Sequence, residues 1–213
     1  MDFINDEIIQ YSNSFSKAED SVLKELDRET HLKFLSPRML SGHLQGNLLT
    51  FISKLIKPKN ILEIGTFTGY SAICLAKGLA ENGKLTTIDA NPEIESIARK
   101  YFEKSGLQNK INLLIGNAIE LIPSIYDKFN LVFIDADKKN YSNYFDLIIE
   151  KVESGGIIIA DNVLWSGKVL KNVQTMDKET LAIHQFNAKI QNDNRVENLL
   201  LPIRDGIMLI RKK

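Results

Sequence analysis

Two short polar segments carry side chains that could hold a metal ion and move a proton. Each segment directly follows a short apolar run containing β-branched residues, at 131–134 and 157–159. In an open α/β sheet, ligands bind at the edge where the carboxyl ends of the strands lie. Oxygen ligands suit a hard divalent cation, and a lysine beside them could serve as a general base. The residues concerned are Asp135, Asp137, Lys138, Asp161 and Asn162.

A glycine-rich turn after the first predicted strand could bind a nucleoside. In a dinucleotide-binding turn a second glycine lets the pyrophosphate approach the backbone, but here Phe67 stands two residues after Gly65, and the next glycine is Gly69. This spacing favours a nucleoside that lacks a pyrophosphate. Glu63 ends the strand before the turn and could meet an ammonium group, whereas Asp89 ends the next strand and could accept both ribose hydroxyls. The alternative is that the glycines only form a tight turn between strand and helix.

The elements that must position these residues alternate between strands and helices. Strands are predicted at 60–64, 85–88, 111–115, 130–134, 156–160, 196–201 and 206–211. Helices are predicted between them at 69–80, 92–105, 117–126, 140–151 and 178–193. Such alternation is typical of βαβ units around a parallel sheet, and Asp205-Gly206 is a hairpin signal that makes the last strand antiparallel. We therefore predict an α/β fold with a Rossmann-like, seven-stranded, mostly parallel sheet, helices on both faces and a C-terminal hairpin.

The first 57 residues are predicted to form an N-terminal helical extension. Their apolar residues recur at helical spacing, Ser36-Pro37 interrupts the pattern, and a third helix should cover about 42–56.

The charge balance, the length of the apolar runs and the cysteine count argue against several classes of protein. The balance of 27 basic and 27 acidic residues gives no sign of a nucleic-acid partner. We expect no signal peptide and no membrane-spanning segment, because no apolar run has the required length. Cys74 is the only cysteine, which excludes an internal disulfide and favours a cytoplasmic protein.

Three motifs together resemble those of the cation-dependent class I O-methyltransferases in their bacterial form, the family of the caffeoyl-CoA and catechol O-methyltransferases. The motifs are E-I-G-T-F-T-G-Y-S at 63–71, D-A-D-K at 135–138 and D-N-V-L-W at 161–165. The first is moderately specific for S-adenosylmethionine, and the combination is highly specific. The similarity extends over essentially the whole chain, including the hairpin at 201–206.

The resemblance implies a single methyltransferase domain over 1–213 that forms a homodimer. The helices of 1–57 would cover the active site or the dimer interface, and 58–213 would form the S-adenosylmethionine-binding core.

The resemblance also implies a role for individual residues. Asp135, Asp161 and Asn162 would bind a divalent cation, with Mg²⁺ favoured and Mn²⁺ or Ca²⁺ as alternatives. Lys138 would be the catalytic base, and Asp137 is interpreted as a partner of the site rather than a ligand. The implied cofactor contacts are Glu63, Gly65, Thr66, Gly69, Tyr70, Ser71, Asp89, Ala118 and Asp135.

The predicted reaction is methyl transfer from S-adenosylmethionine to a hydroxyl of a small, catechol-like vicinal-dihydroxy aromatic. In this family the segment at 36–46 covers the substrate, so Arg38 within it is a predicted substrate contact, and Trp165 is predicted to form a wall of the substrate site.

Several alternatives stay open from the sequence alone. Asp135 and Asp161 could cap helices, Lys138 could be an exposed loop lysine, and Trp165 could be a core residue. The same chemistry could act on a modified base in tRNA, with Arg38 in a basic rim. The chain could also be a non-enzymatic S-adenosylmethionine-binding module, whereas Phe67 argues against a nucleotide-dependent oxidoreductase.

Overall fold

Seven strands form one mixed sheet in the computed structural model, which describes residues 5–213. The strands are β1 (Asn60–Ile64), β2 (Lys84–Asp89), β3 (Ile111–Ile115), β4 (Phe129–Ile134), β5 (Val152–Asp161), β6 (Val196–Leu201) and β7 (Ile207–Lys212). Their order across the sheet is β3-β2-β1-β4-β5-β7-β6. β1 pairs with β2, β2 with β3 and β4 with β5 in parallel, whereas β7 is antiparallel to both β5 and β6. The predicted fold class, the strand count and the antiparallel last strand are confirmed.

Eight α-helices lie within the described residues. They are α1 (Asp6–Ser14), α2 (Ser21–Lys33), α3 (Gly42–Ile56), α4 (Tyr70–Ala76), α5 (Glu95–Lys104), α6 (Ala118–Leu121), α7 (Tyr141–Ile149) and α8 (Lys178–Gln191). The N-terminal extension is helical as predicted, and its third helix has the predicted bounds; residues 1–4 lie outside the described residues. The helix predicted at 117–126 is a short α-helix followed by a 3₁₀ turn, because Pro123 supplies no N–H for a longer helix.

Among the other elements, β5 and α4 depart most from their predicted bounds, each for a local reason. β5 begins at Val152, earlier than predicted, because the strand continues through an irregularity at Gly155, where φ is 78°. α4 ends at Ala76, earlier than predicted. The next residues pass so close to α3 that a Cβ on Gly78 would lie 2.3 Å from the carbonyl carbon of Ser53.

The chain forms two compact units, one of residues 7–117 and the other of residues 118–213 together with residues 5 and 6. The first contains α1 to α5 with β1 to β3, and the second contains α6 to α8 with β4 to β7. Each has its own buried core, with Leu62 and Tyr101 fully buried in the first unit and Phe133 and Phe145 in the second. The predicted domain organisation, one domain over 1–213, stays a prediction.

None of the helices within residues 5–213 is long and apolar enough to cross a membrane.

Glu29 joins α2 to α5 through charge-assisted hydrogen bonds. Its Oε2 accepts from Lys100 Nζ (2.5 Å) and from the Tyr101 hydroxyl (2.6 Å), and its Oε1 accepts from Lys33 Nζ (2.7 Å). Donation by Lys100, Lys33 and Tyr101 favours the ionised carboxylate and lowers the pKa of Glu29 to about 2. The contact between the two helices therefore depends on charge.

We expect this contact to make stability depend on pH between about 4.5 and 2. Because the folded-state pKa of Glu29 lies below its unfolded value, the stabilisation is complete above the unfolded value and is lost as the pH falls towards 2. In urea denaturation, the wild type should lose free energy of unfolding over this range faster than Glu29→Gln. The control Glu103→Gln, at an exposed position on α5, should follow the wild type. Parallel curves for the wild type and Glu29→Gln would contradict this expectation.

Candidate active site

Asp89 shapes the glycine-rich turn that follows β1. Its Oδ2 accepts hydrogen bonds from the backbone N–H groups of Thr66 (3.1 Å) and Phe67 (2.7 Å), and its Oδ1 accepts from the N–H of Asn91 (2.9 Å). The carboxylate predicted to bind ribose hydroxyls therefore also fixes the backbone of the turn. The two roles are compatible, because the two oxygens of an ionised carboxylate together accept about four hydrogen bonds.

Three residues of the turn have a positive φ, and one of them is not glycine. The angles are 103° at Gly65, 47° at Phe67 and 94° at Gly69. A Cβ on Gly69 would lie 2.6 Å from Cε1 of Phe102, so only glycine fits there. The left-handed conformation costs a residue such as Phe67 about 1–2 kcal/mol. Its ring packs edge-on against Phe34, with 5.5 Å between ring centroids, and this contact offsets part of that cost.

Glu63 ends β1 as a fully buried carboxylate. Its Oε2 accepts a hydrogen bond from the Thr87 hydroxyl at 2.5 Å, and Oγ1 of Thr87 lies 2.5 Å from Oγ1 of Thr66. Because Thr87 donates its proton to Glu63, the Thr66 hydroxyl must be the donor of the second bond. This chain of hydroxyls holds the carboxylate at the carboxyl end of β1, where it could bind an ammonium group.

Tyr70 and Ser71 begin α4, directly after the turn. Ser71 is buried in the first turn of the helix. The Tyr70 hydroxyl donates to Oε1 of Glu19 at 2.5 Å, and burial raises the pKa of Tyr70. Tyr70 lines a cavity of about 130 Å³ beside α3 and α4. The cofactor contacts assigned to Tyr70 and Ser71 stay predictions, since the Tyr70 hydroxyl is bonded to the segment between α1 and α2.

The buried threonine pair leads to a test of stability. Thr87→Val should lower the free energy of unfolding by about 1–3 kcal/mol, because it removes one donor from a buried carboxylate. The control is Thr86→Val at the next position of β2, where the side chain lies on the opposite face of the strand and is partly exposed. It should change stability by less than about 0.5 kcal/mol. Urea denaturation at neutral pH measures both, and equal stability of Thr87→Val and the wild type would refute the expected role of the hydroxyl.

Lys138 lies buried, with 8% of its surface exposed, in the second compact unit. Its ammonium group donates hydrogen bonds to Oδ1 of Asp135 (3.0 Å), Oδ1 of Asn162 (2.8 Å) and the Tyr141 hydroxyl (2.6 Å). A buried charge is stable only when it is paired and hydrogen-bonded. Lys138 is therefore not an exposed loop lysine, and the structure brings it together with two of the predicted metal ligands.

Asp161 and Asn162 end β5 with a sharp bend. Asp161 is 3% exposed, and its Oδ1 accepts from the backbone N–H of Asn162 at 2.8 Å. Asn162 has a φ of 58°, a left-handed conformation that asparagine tolerates better than most residues. The Asn162 side chain then reaches Lys138 Nζ. Neither Asp135 nor Asp161 occupies the N-cap of the helical segments that follow it, which argues against the helix-cap alternative.

Tyr141 belongs to this cluster but was not predicted from the sequence. Its hydroxyl accepts from Lys138 and donates to the backbone carbonyl of Asp161 at 2.9 Å. Burial raises the pKa of Tyr141 well above its ordinary value. Its position three residues after Lys138, at the start of a predicted helix, could have indicated a contact with Lys138. A lone aromatic residue in a helix is, however, more often part of the core.

Asp137 contacts α7 rather than Lys138. Its Oδ1 accepts from the Tyr144 hydroxyl, and its Oδ2 accepts from Nδ2 of Asn140 at 2.6 Å. These contacts agree with the interpretation that Asp137 supports the site from outside the ligand set.

Trp165 lies beside the buried lysine. Its ring centroid is 5.8 Å from Lys138 Nζ and 5.7 Å from Lys168 Nζ. The residue is partly exposed, and its Nε1 is buried without a hydrogen-bond partner among the described residues. This placement is compatible with the predicted substrate wall.

The loop that carries Trp165 is fastened to the β6–β7 hairpin. Trp165 and Ser166 both have left-handed backbones, with φ of 47° and 53°. The carboxylate of Asp205 accepts from the Ser166 N–H, and its backbone carbonyl accepts from the Leu164 N–H at 2.9 Å. Burial raises the pKa of Asp205. The hairpin turn predicted from Asp205-Gly206 therefore also holds the loop after the second metal motif.

Two predicted contacts lie outside these clusters. Arg38 is exposed in a short 3₁₀ segment, Pro37–Met39, and Ala118 is the buried first residue of α6. Their assignments to substrate and cofactor stay predictions.

The donor chemistry of the second cluster fits a hard divalent cation. We call Asp135, Lys138, Tyr141, Asp161 and Asn162 the lysine–oxygen cluster. Two of its oxygens, from Asp135 and Asn162, already converge on one cation, the ammonium of Lys138. Its two carboxylates outnumber its one ammonium. Within residues 5–213 no three His, Cys, Asp or Glu side chains are grouped to hold a metal, so a site here needs the amide oxygen of Asn162.

The chain is similar to known O-methyltransferases. The family model described as O-methyltransferase matches residues 13–213. The caffeoyl-CoA O-methyltransferase of Populus kitakamiensis is 35% identical over 213 residues, which cover 95% of this chain and 91% of the relative. That of Stellaria longipes is 33% identical over 204 residues, covering 91% and 84%. Among solved structures, the O-methyltransferase from Bacillus cereus in complex with SAH is 30% identical, covers 97% of both chains and has a TM-score of 0.90.

Proposed function

Because the chain belongs to the O-methyltransferase family, we propose that it methylates one hydroxyl of a small aromatic diol in a reaction that needs a divalent cation. The general activity, transfer of a methyl group from S-adenosylmethionine to an oxygen atom, follows from membership of the family. The requirement for a divalent cation and the choice of a diol as acceptor go beyond that general activity and are the content of this proposal. Asp135, Asp161 and Asn162 would hold the cation.

The observation that carries the proposal is the buried ammonium of Lys138 among oxygen atoms. A lysine in this setting is not needed for solubility, and burying its charge costs free energy that its hydrogen bonds must offset. We therefore attribute its burial to a role in catalysis. Asp135 and Asn162 supply the hard oxygens that Mg²⁺ prefers. A candidate base and a set of candidate cation ligands therefore occupy one cluster.

The residues of the lysine–oxygen cluster suit the removal of a hydroxyl proton. When bound, a divalent cation would lower the pKa of a substrate hydroxyl and disfavour the charged form of the neighbouring amine. Lys138 Nζ, in its neutral amine form, is the atom placed to take the proton and becomes the ammonium. The substrate oxygen then forms a bond to the methyl carbon while the bond from that carbon to the sulfonium sulfur breaks, which yields the methyl ether and S-adenosylhomocysteine. Holding oxygen, carbon and sulfur in line is worth roughly 7–11 kcal/mol.

The first compact unit offers matching contacts for S-adenosylmethionine. The buried carboxylate of Glu63 suits the amino group of the methionine part, and the carboxylate of Asp89 suits the ribose hydroxyls. The positive φ of Gly65 and Gly69 allows the backbone to approach a nucleoside closely.

A vicinal diol fits the oxygen ligands better than a lone hydroxyl. Mg²⁺ takes more oxygen ligands than the three that the chain supplies, so a substrate with two adjacent oxygens could provide more of them. The ring of Trp165 offers an aromatic surface beside Lys138. Relatives named as caffeoyl-CoA O-methyltransferases support an aromatic acceptor. We also propose the homodimer and the cytoplasmic location that the family resemblance implies.

The substrate proposal is tested by an acceptor panel. With S-adenosylmethionine and Mg²⁺, the purified protein should methylate catechol and caffeate but not guaiacol, which lacks a second free hydroxyl. EDTA should abolish the transfer, and added Mg²⁺ should restore it. Transfer that survives EDTA would refute the role of the metal. Transfer only to bulk tRNA would reassign the acceptor to RNA, and transfer to none of these acceptors would contradict the diol.

The role of Lys138 is tested by removing its amine while keeping the length of the side chain. Lys138→Met should lower kcat by roughly 10²–10⁴-fold, the usual contribution of a general base. Lys139→Met alters the adjacent, exposed lysine and should leave kcat unchanged. Similar rates for Lys138→Met and the wild type would exclude Lys138 as the base.

Metal binding can be measured by tryptophan fluorescence without any substrate. Trp165 is the only tryptophan, and it lies beside the lysine–oxygen cluster, so paramagnetic Mn²⁺ should quench its fluorescence to saturation. Asp161→Asn should weaken the apparent affinity by roughly tenfold or more. Asp137→Asn, which alters a neighbouring carboxylate outside the proposed ligand set, should keep the wild-type affinity. Equal affinities of the two variants would place the metal elsewhere.

A further inference from the structure

The Tyr141 hydroxyl lies where the two strands that carry the lysine–oxygen cluster end. It is fully buried, donates to the carbonyl oxygen of Asp161 at 2.9 Å and lies 3.4 Å from the carbonyl oxygen of Ile134. These carbonyls belong to the last residues of β5 and β4. One hydroxyl therefore contacts both strand ends from which the candidate ligands emerge.

Of the hydrogen bonds that Lys138 Nζ donates to Asp135, Asn162 and Tyr141, the one to the Tyr141 hydroxyl is the shortest. The distance is 2.6 Å to Tyr141, compared with 3.0 Å to Asp135 and 2.8 Å to Asn162. Since Tyr141 commits its proton to the Asp161 carbonyl, its oxygen presents a lone pair to the amine. The hydroxyl can hold the amine in this way without supplying a proton to it.

The ring of Tyr141 is fixed as firmly as its hydroxyl. Phe186 on α8 packs against it edge-on, with 5.4 Å between centroids and an interplanar angle of 89°. Lys138 Nζ lies 4.8 Å from the Tyr141 ring centroid. The hydroxyl is therefore presented by a rigid side chain, as an atom that positions a catalytic group should be.

We propose that Tyr141 is a positioning residue for Lys138, whose hydroxyl holds Nζ at the place where the amine takes the substrate proton. The proposal rests on the proposed function of Lys138. Of the three hydrogen-bond partners of Nζ named above, Asp135 and Asn162 are candidate metal ligands, whereas Tyr141 is not. Tyr141 is therefore the partner among them that can hold the amine whether or not a cation takes the other two oxygens.

The kinetic test removes only the hydroxyl. Tyr141→Phe should lower kcat for the diol by roughly 10- to 100-fold, because a small misplacement of a catalytic group has an effect of this size. KM for the diol and for S-adenosylmethionine should stay within about twofold, since the variant changes the reacting geometry and not the binding contacts. Tyr101→Phe removes another buried tyrosine hydroxyl, which is bonded to Glu29, and should keep the wild-type kcat.

A double-mutant comparison separates positioning from a merely structural role. If Tyr141 acts through Lys138, adding Tyr141→Phe to Lys138→Met should change kcat by less than about threefold. An equal loss in both backgrounds, or a wild-type kcat for Tyr141→Phe, would overturn the proposal.

A crystal structure of ligand-free Tyr141→Phe provides a readout that does not depend on activity. The proposal predicts that Lys138 Nζ moves by about 1 Å or more from its place beside Asp135 and Asn162, a displacement large enough to impair catalysis. An unmoved Nζ would overturn the proposal. If instead the wild type transfers no methyl group to any acceptor, the proposed function fails, while this structural result still decides whether Tyr141 positions the lysine.

Discussion

A buried ammonium group must be surrounded by oxygen atoms, and the second unit of the chain meets this requirement around Lys138. Taking a charge out of water costs several kcal/mol unless hydrogen bonds replace the lost hydration. The partners come from three separate elements: Asp135 follows β4, Asn162 follows β5, and Tyr141 begins α7. They meet because β4 and β5 pair in parallel, with Ile134 opposite Ala160, so that both strands end at one edge. The register of β4 and β5 therefore brings the polar groups of the lysine–oxygen cluster together.

The need to surround the Lys138 ammonium with oxygen atoms also explains the left-handed backbone conformations near the cluster. Asn162 adopts a left-handed conformation that brings its side chain to Lys138, and Trp165 and Ser166 adopt it again a few residues later. Such residues persist where the surroundings hold them in place. Here the Tyr141 hydroxyl donates a hydrogen bond to the carbonyl of Asp161, and Asp205 of the hairpin turn accepts hydrogen bonds from the loop that follows Asn162. Three of the left-handed non-glycine residues thus lie in the segment that would contact metal and substrate.

Most of the fold and much of the candidate site could be predicted from the sequence, because both depend on local patterns. β1, β3 and β6 have the predicted bounds, since short apolar runs between turn signals define them. Asp135, Lys138 and Asn162 were grouped correctly because parallel strand ends share an edge. Tyr141 was missed, since only three-dimensional packing shows that its hydroxyl reaches the end of β5. The bond from Tyr70 to Glu19 was equally unpredictable, because it joins residues far apart in the sequence.

The central claim is that the side-chain oxygens of Asp135 and Asn162, which now accept hydrogen bonds from Lys138, belong to a metal site together with Asp161. Its most direct test is the anomalous diffraction of crystals grown with Mn²⁺ and S-adenosylhomocysteine. We predict a manganese peak bonded to side-chain oxygens of Asp135, Asp161 and Asn162, with Lys138 Nζ still hydrogen-bonded to Tyr141. A manganese peak at other residues, or none at a Mn²⁺ concentration that supports full methyl transfer, would contradict the claim.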